Sequence, residues 1–144
     1  MNNLPSHADE VDIGPCLTAA RVLFAELLPD ITERAEAYRV SAVAMDTEMY
    51  RLLLDEVATT VTCLATECAQ HDEVSIRKRG HSLEGMGGTV GLPEISVVGW
   101  ALSHAAREHA WERCASLTGL LRRWSVQLST TVPPHGGSAR QLML

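Results

Sequence analysis

Arg77-Lys78-Arg79-Gly80-His81-Ser82-Leu83-Glu84-Gly85-Met86-Gly87-Gly88 is the stretch whose reading decides the fold. Ile76, Gly80, Leu83, Gly87 and Val90 recur in and around it at steps of three and four, the period of a helix with one buried stripe. On a helix turning about 100° per residue, that stripe falls within roughly 80° and is centred about 140° from His81. The histidine therefore faces outward when the stripe faces the core. Arg77, Lys78, Glu84, Gly85 and Gly88 lie within about 60° of His81 and share its outward sector.

Five glycines between positions 80 and 91 would each cost about 0.5–1 kcal/mol relative to alanine in a helix interior, so each asks for a reason. Gly80 and Gly87 fall on the packed side, where they let a neighbouring helix come near. Gly85 and Gly88 are expected to strip side chains from the surface beside the imidazole, so that a large partner can reach the ring.

Working outward, the flanking sequence repeats the helical pattern. Upstream, Asp46 or Thr47 can cap a helix with Glu48 in its first turn, and Leu53, Val57, Val61, Leu64 and Cys68 mark its stripe to about Gln70. The polar turn His71-Asp72 leads into the helix that holds His81, from Val74 to about Val90. Downstream, Gly91-Leu92-Pro93 stops that helix, and Pro93 suits the first position of the next, in which Ile95, Val98, Leu102 and Ala105 share a face. A last helix carries Ala110, Cys114, Leu117, Leu121, Trp124 and Leu128; its start, near Arg107 to His109, has no Gly or Pro to mark it. The pattern predicts an all-α, antiparallel four-helix bundle.

The ends read differently. Residues 1–14 are expected to be a flexible lead-in. Residues 15–28 are expected to form an accessory N-terminal helix, interrupted by Pro29 and followed by a short helix from Asp30 to about Val40. With these, 15–131 makes one domain and 132–144 a flexible tail.

A chain of 144 residues suits a single domain with a real core. With one Phe, two Tyr and three Trp, the core is expected to be built from Leu, Val, Ala and Met, a mix that favours helices. The formal charge of -6 argues against a nucleic-acid partner, and the Arg77-Lys78-Arg79 triplet is the size of an ordinary solvated patch. Cys16, Cys63, Cys68 and Cys114 form no CxxC pair and read as reduced thiols, and no ligand set at metal-site spacing is present. No basic, apolar leader opens the chain, and no run reaches the ~20 apolar residues of a membrane span. A cytoplasmic protein is expected. Gly85-Met86-Gly87-Gly88-Thr89-Val90 lacks the last glycine of a dinucleotide-binding loop and follows no strand.

An exposed histidine beside bare backbone and two cations suits phosphoryl chemistry. A neutral imidazole is a nucleophile near pH 7, and Arg77 and Lys78 can offset charge on an incoming phosphoryl group. The bland alternative is a solvated surface histidine with no role; His104 and His109 are expected to be ordinary helix-surface or packing residues.

These residues match a known pattern. His81-Ser82-Leu83-Glu84-Gly85, followed by Gly91, resembles the H-x-L-K-G signature of the histidine-containing phosphotransfer (HPt) domain, in which a second glycine follows six residues later. Leu28-Pro29-Asp30-Ile31 and Asp46-Thr47-Glu48-Met49-Tyr50 with Leu52-Leu53-Leu54 look like that family's lead-in to its first long helix. The resemblance covers about residues 28–130. It implies a four-helix bundle without its own ATP site or cofactor. His81 would be the phosphoacceptor, taking the group from an aspartyl phosphate on a receiver domain or hybrid histidine kinase, with Mg2+ on that partner. A monomer is expected.

One position departs from the pattern. Glu84 stands where the family usually has lysine, and a carboxylate there repels a phosphoryl group. At about 7 Å with water-like screening each unit-charge pair is worth roughly 0.6 kcal/mol, so slower or redirected transfer is the expectation rather than its loss. The alternative is a degenerate HPt-like module that docks on a receiver or kinase and inhibits it without carrying phosphate.

Overall fold

Helix ends in this protein are decided by backbone capping as much as by apolar stripes. The computed structural model describes residues 21–38, 47–89 and 91–131. The expected flanks 1–14 and 132–144 lie outside the described residues, as do residues 15–20, the proposed cap Asp46 and the stripe residue Val90.

Helix α1 covers Ile31–Ala35 and runs into a 3-10 turn, Glu36–Tyr38; four long helices follow, α2 (Thr47–Ala69), α3 (Glu73–Thr89), α4 (Pro93–Arg107) and α5 (Trp111–Thr131). Residues 21–24 are also helical, and among the described residues there is no strand. Three-residue connections join α2 to α3, α3 to α4 and α4 to α5. Links that short make consecutive helices antiparallel neighbours. Because α5 also packs against α2, the four long helices close into the all-α bundle expected.

The α2–α3 turn, expected at His71-Asp72, and the α4–α5 turn, which no Gly or Pro marks, are both closed by histidines. At the end of α2 the His71 N–H bonds the Cys68 carbonyl and the Asp72 N–H bonds that of Glu67, with His71 at φ 54°. At the end of α4 the His109 N–H bonds the Ala106 carbonyl and the Ala110 N–H that of Ala105, with His109 at φ 59°. Both are Schellman ends with histidine at the left-handed position that glycine usually fills. Histidine is among the few non-glycine types enriched there. Gly91, at φ 80°, closes α3 in the same way, as its sequence position suggested.

The α2 stripe is buried as expected, through Leu53, Val57, Val61, Leu64 and Cys68. Helix α4 differs: Pro93 to Gly99 is buried at every position, because α4 is covered by α3, by α5 and by the segment before α2. Phe24, Leu28 and Ile31 are each 1% exposed or less. Each such burial stabilises by about 1.5–3 kcal/mol, so this segment is part of the core rather than an appendage. Its helix stops at residue 24 and turns through 25–27, short of the expected end at Leu28. An ion pair between Arg21 and the buried Glu94 ties it to α4. The core is mostly Leu, Val and Ala as expected, but methionine gives way to aromatic residues. Trp124 is buried against Phe24, with ring centroids 6.2 Å apart, whereas Met49 is exposed and Met86 only half-buried.

Candidate functional site

Helix α3 meets α4 through small residues. A Cβ on Gly80 would stand 2.6 Å from the Gly99 carbonyl oxygen, and one on Gly87 would stand 2.5 Å from the Ser96 nitrogen. The backbones therefore approach as only glycine allows. Serine hydroxyls lock the contact: Ser103 Oγ donates to the Arg77 carbonyl at 3.1 Å and Ser96 Oγ to the Glu84 carbonyl at 2.6 Å. Ser96 Oγ also accepts the Gly88 N–H at 3.0 Å. One anchor lies a turn before His81 and the other a turn after it, so the backbone carrying the imidazole is fixed.

His81 itself is exposed, while Ile76, Gly80, Leu83 and Gly87 face inward, as the helical period required. It stands at a groove of about 610 Å³ between α3 and α4, lined also by Arg77, Lys78, Ser82, Ser103 and Arg107. A smaller pocket of about 240 Å³ opens toward α2, and Lys78 and Ser82 line both.

The cations around it are not equivalent. Arg77 sits 3.4 Å from Glu73 in an exposed i,i+4 pair, a contact of small worth in water. Arg79 donates to both carboxylate oxygens of Glu67 at 2.8 Å; this hydrogen bonding raises the Arg79 pKa and commits that side chain to the α2–α3 packing. Lys78 and Arg107 make no ion pair among the described residues. Both remain available to an anion at the groove.

Of the expected surface, Arg77, Lys78 and His81 come together at this groove. Gly85 is exposed, and a Cβ there would meet nothing within 4 Å. Gly88 corrects the expectation. It is buried, and a Cβ on it would stand 2.5 Å from the Tyr38 carbonyl oxygen, so it accommodates chain from before α2 rather than baring the surface near the imidazole. Glu84 is half-buried, and its Oε2 accepts a hydrogen bond from the Tyr38 hydroxyl at 2.7 Å. Burial, then that bond, push the Tyr38 pKa up to about 12. Ser82, Ser103 and Arg107 were not anticipated. The last two were detectable: Ser96, Gly99, Ser103 and Arg107 recur at steps of three and four, and the small residues of that stripe face α3.

His104 and His109 have structural partners. His104 stacks on Trp100, centroids 4.9 Å apart. His109 stacks on Trp111 and pairs with Glu73 at 2.8 Å.

A bundle of four antiparallel helices, with an exposed histidine on the second of them, is the setting in which comparison with known families becomes decisive. The family model for the Hpt domain matches residues 48–129, more than half of the chain and nearly all of α2 to α5. This chain belongs to the Hpt domain family. Hpt domains relay phosphoryl groups on histidine in phosphorelays, working with receiver domains and kinases as phosphocarriers rather than enzymes. No curated protein and no solved structure matches the chain in the corresponding comparisons. Among the described residues no helix is long and apolar enough to cross a membrane.

Proposed function

We propose that this Hpt domain is an active phosphocarrier in which His81 accepts the phosphoryl group of an aspartyl phosphate on a receiver domain and passes it on. In the step, the unprotonated ring nitrogen attacks phosphorus and an N–P bond forms. The P–O bond to the acyl oxygen breaks, and the partner's aspartate leaves as a carboxylate with the bonding pair. The ring's remaining N–H proton is then exchangeable with water. The reverse sequence discharges the carrier.

The observation that carries this reading is the groove: an exposed imidazole on an anchored helix, with Lys78 and Arg107 beside it and free of ion pairs among the described residues. Cations at that place stabilise charge spread over the transferring oxygens. Arg77 adds a weaker contribution, and Gly85 leaves room for the partner. The Mg2+ ion belongs to the receiver, and the carrier works as a cytoplasmic monomer. The chain's formal charge of -6 disfavours nucleic acid, and the family's work with receiver domains and kinases supports a protein acyl phosphate as the donor.

The test is incubation with a phosphorylated receiver and Mg2+. Acid-labile, alkali-stable label on the wild type and none on His81→Gln supports the carrier. Stable binding without label supports the degenerate docking module instead, and equal labelling of both chains assigns the chemistry to another residue.

A further inference from the structure

We infer that Tyr38 is a positioning residue for phosphotransfer, its hydroxyl holding the Glu84 carboxylate toward the C-terminal end of α3, away from the approaching phosphoryl group. This rests on His81 as the phosphoacceptor.

Glu84 lies three residues after His81, so the two side chains are neighbours on the helix surface. In a helix the Cα–Cβ bonds tilt toward the N-terminus. Left to itself, the Glu84 side chain leans toward the turn that holds Gly80 and His81. There its charge would oppose the phosphoryl dianion.

Tyr38 acts from the opposite direction. Its backbone carbonyl sits over Gly88, one turn beyond Glu84, at a contact that admits no Cβ. From that fixed point the ring reaches back, and its hydroxyl donates to Glu84 Oε2 at 2.7 Å. The contact joins residues 46 apart in the chain, so it exists only because the segment before α2 is folded onto the bundle. That anchorage is substantial: Ile31 and Ala35 of α1 are each 1% exposed, and Arg34 lies over the Trp100 ring on α4 at 4.6 Å. With its pKa pushed up to about 12, the phenol stays protonated, and so remains a donor, throughout the physiological range.

The arrangement supplies a reason why this chain can carry an acid where the family's pattern has a base. Glu84 is half-buried and hydrogen-bonded, while the positive charge that the transfer needs comes from Lys78 on α3 and from Arg107 across the groove on α4. Tyr38 forms no bond to phosphorus and exchanges no proton in the step. The N–P bond made and the acyl P–O bond broken are those written above.

The experiment measures phosphoryl transfer from a saturating phosphorylated receiver with Mg2+ to wild type, Tyr38→Phe, Glu84→Gln and the double variant, with His81→Gln as blank. Tyr38→Phe keeps the ring and releases the carboxylate, and the transfer rate should fall about two- to fivefold, as expected for a carboxylate moving a few ångströms toward a dianion in partly screened surroundings. The loss should shrink at high salt. In the Glu84→Gln background the same change should cost nothing, because no charge remains to be held. An equal loss in both backgrounds, or no loss in either, overturns the inference while leaving His81 in place. A blank that labels like wild type removes both readings. Should Tyr38→Phe fail to fold, Glu84→Gln alone still decides: a rate within about twofold of wild type is expected for a charge already held aside, and a larger acceleration overturns the idea.

Discussion

Replacing Gly80 and Gly85 in turn by alanine should move stability in opposite directions, although the two lie only five residues apart on one helix. The new methyl on Gly80 would stand 2.6 Å from the Gly99 carbonyl oxygen and 2.9 Å from the Ser103 nitrogen. Both are backbone atoms and cannot rotate aside. Restoring an ordinary contact of 3.4 Å needs 3.4 − 2.6 = 0.8 Å of separation between α3 and α4. Overpacking of that kind costs about 1–3 kcal/mol, and with only backbone to yield, the upper part of the range, about 2–3 kcal/mol, applies. Alanine returns about 0.5–1 kcal/mol through helix propensity, which leaves a net loss of about 1–2.5 kcal/mol. Gly85→Ala meets nothing within 4 Å and should show only the gain of about 0.5–1 kcal/mol. Urea unfolding followed by far-ultraviolet circular dichroism and by fluorescence of the buried Trp124 reads both. Gly80→Ala as stable as wild type would refute the close helix contact, and with it the claim that the His81 backbone is anchored between Ser96 and Ser103.

Other consequences can be checked separately. Lys78→Gln and Arg107→Gln should each slow transfer to His81 several-fold, on the order of the roughly 0.6 kcal/mol per charge pair that rises with less screening, with unfolding free energies within about 0.5 kcal/mol of wild type; unchanged transfer in both would leave the groove without a role. Glu84→Lys should accelerate transfer, and an unchanged rate would place that position away from the reacting group. Burial pushes the Cys68 thiol up and the Cys114 thiol to about 11, which leaves little thiolate at pH 8. Peptide mapping after brief alkylation should therefore find half-exposed Cys63 modified before either, and early labelling of Cys114 would contradict the packing of α5. The hydrogen bond from His109 holds the Glu73 carboxyl below its usual range. Its contribution to stability is thus complete above the unfolded carboxylate pKa and is lost as pH falls through the lower folded value; acid titrations of wild type and Glu73→Gln should converge at low pH, and a constant gap would refute the link.

What could be read from the sequence, and what could not, divides by whether one helix or two determines the answer. The outward position of His81 and the inward positions of Ile76, Gly80, Leu83 and Gly87 depend on the helical period alone, so the sequence was sufficient. Gly91 and Pro93 mark the α3–α4 turn because only their backbone chemistry matters there. His71 and His109 adopt the left-handed conformation that the other two turns require, yet histidine is too common on helix surfaces to announce it. Gly88 was misread for a related reason. A helical wheel places it almost in line with His81, but cannot show that the Tyr38 carbonyl occupies that line two turns on. Arg107 was within reach, since it continues the small-residue stripe that faces α3, but a stripe of Ser and Gly draws no attention until the partner glycines are seen opposite. Glu84 is the instructive case. Taken alone it is a departure from the family's pattern and counts against activity. In the fold it is half of a hydrogen-bonded pair whose other member, Tyr38, lies in the segment before α2, so the effect of its charge depends on where that partner holds it. The double-variant comparison therefore separates the repulsion from the restraint, whereas a single substitution at position 84 bounds the size of the repulsion.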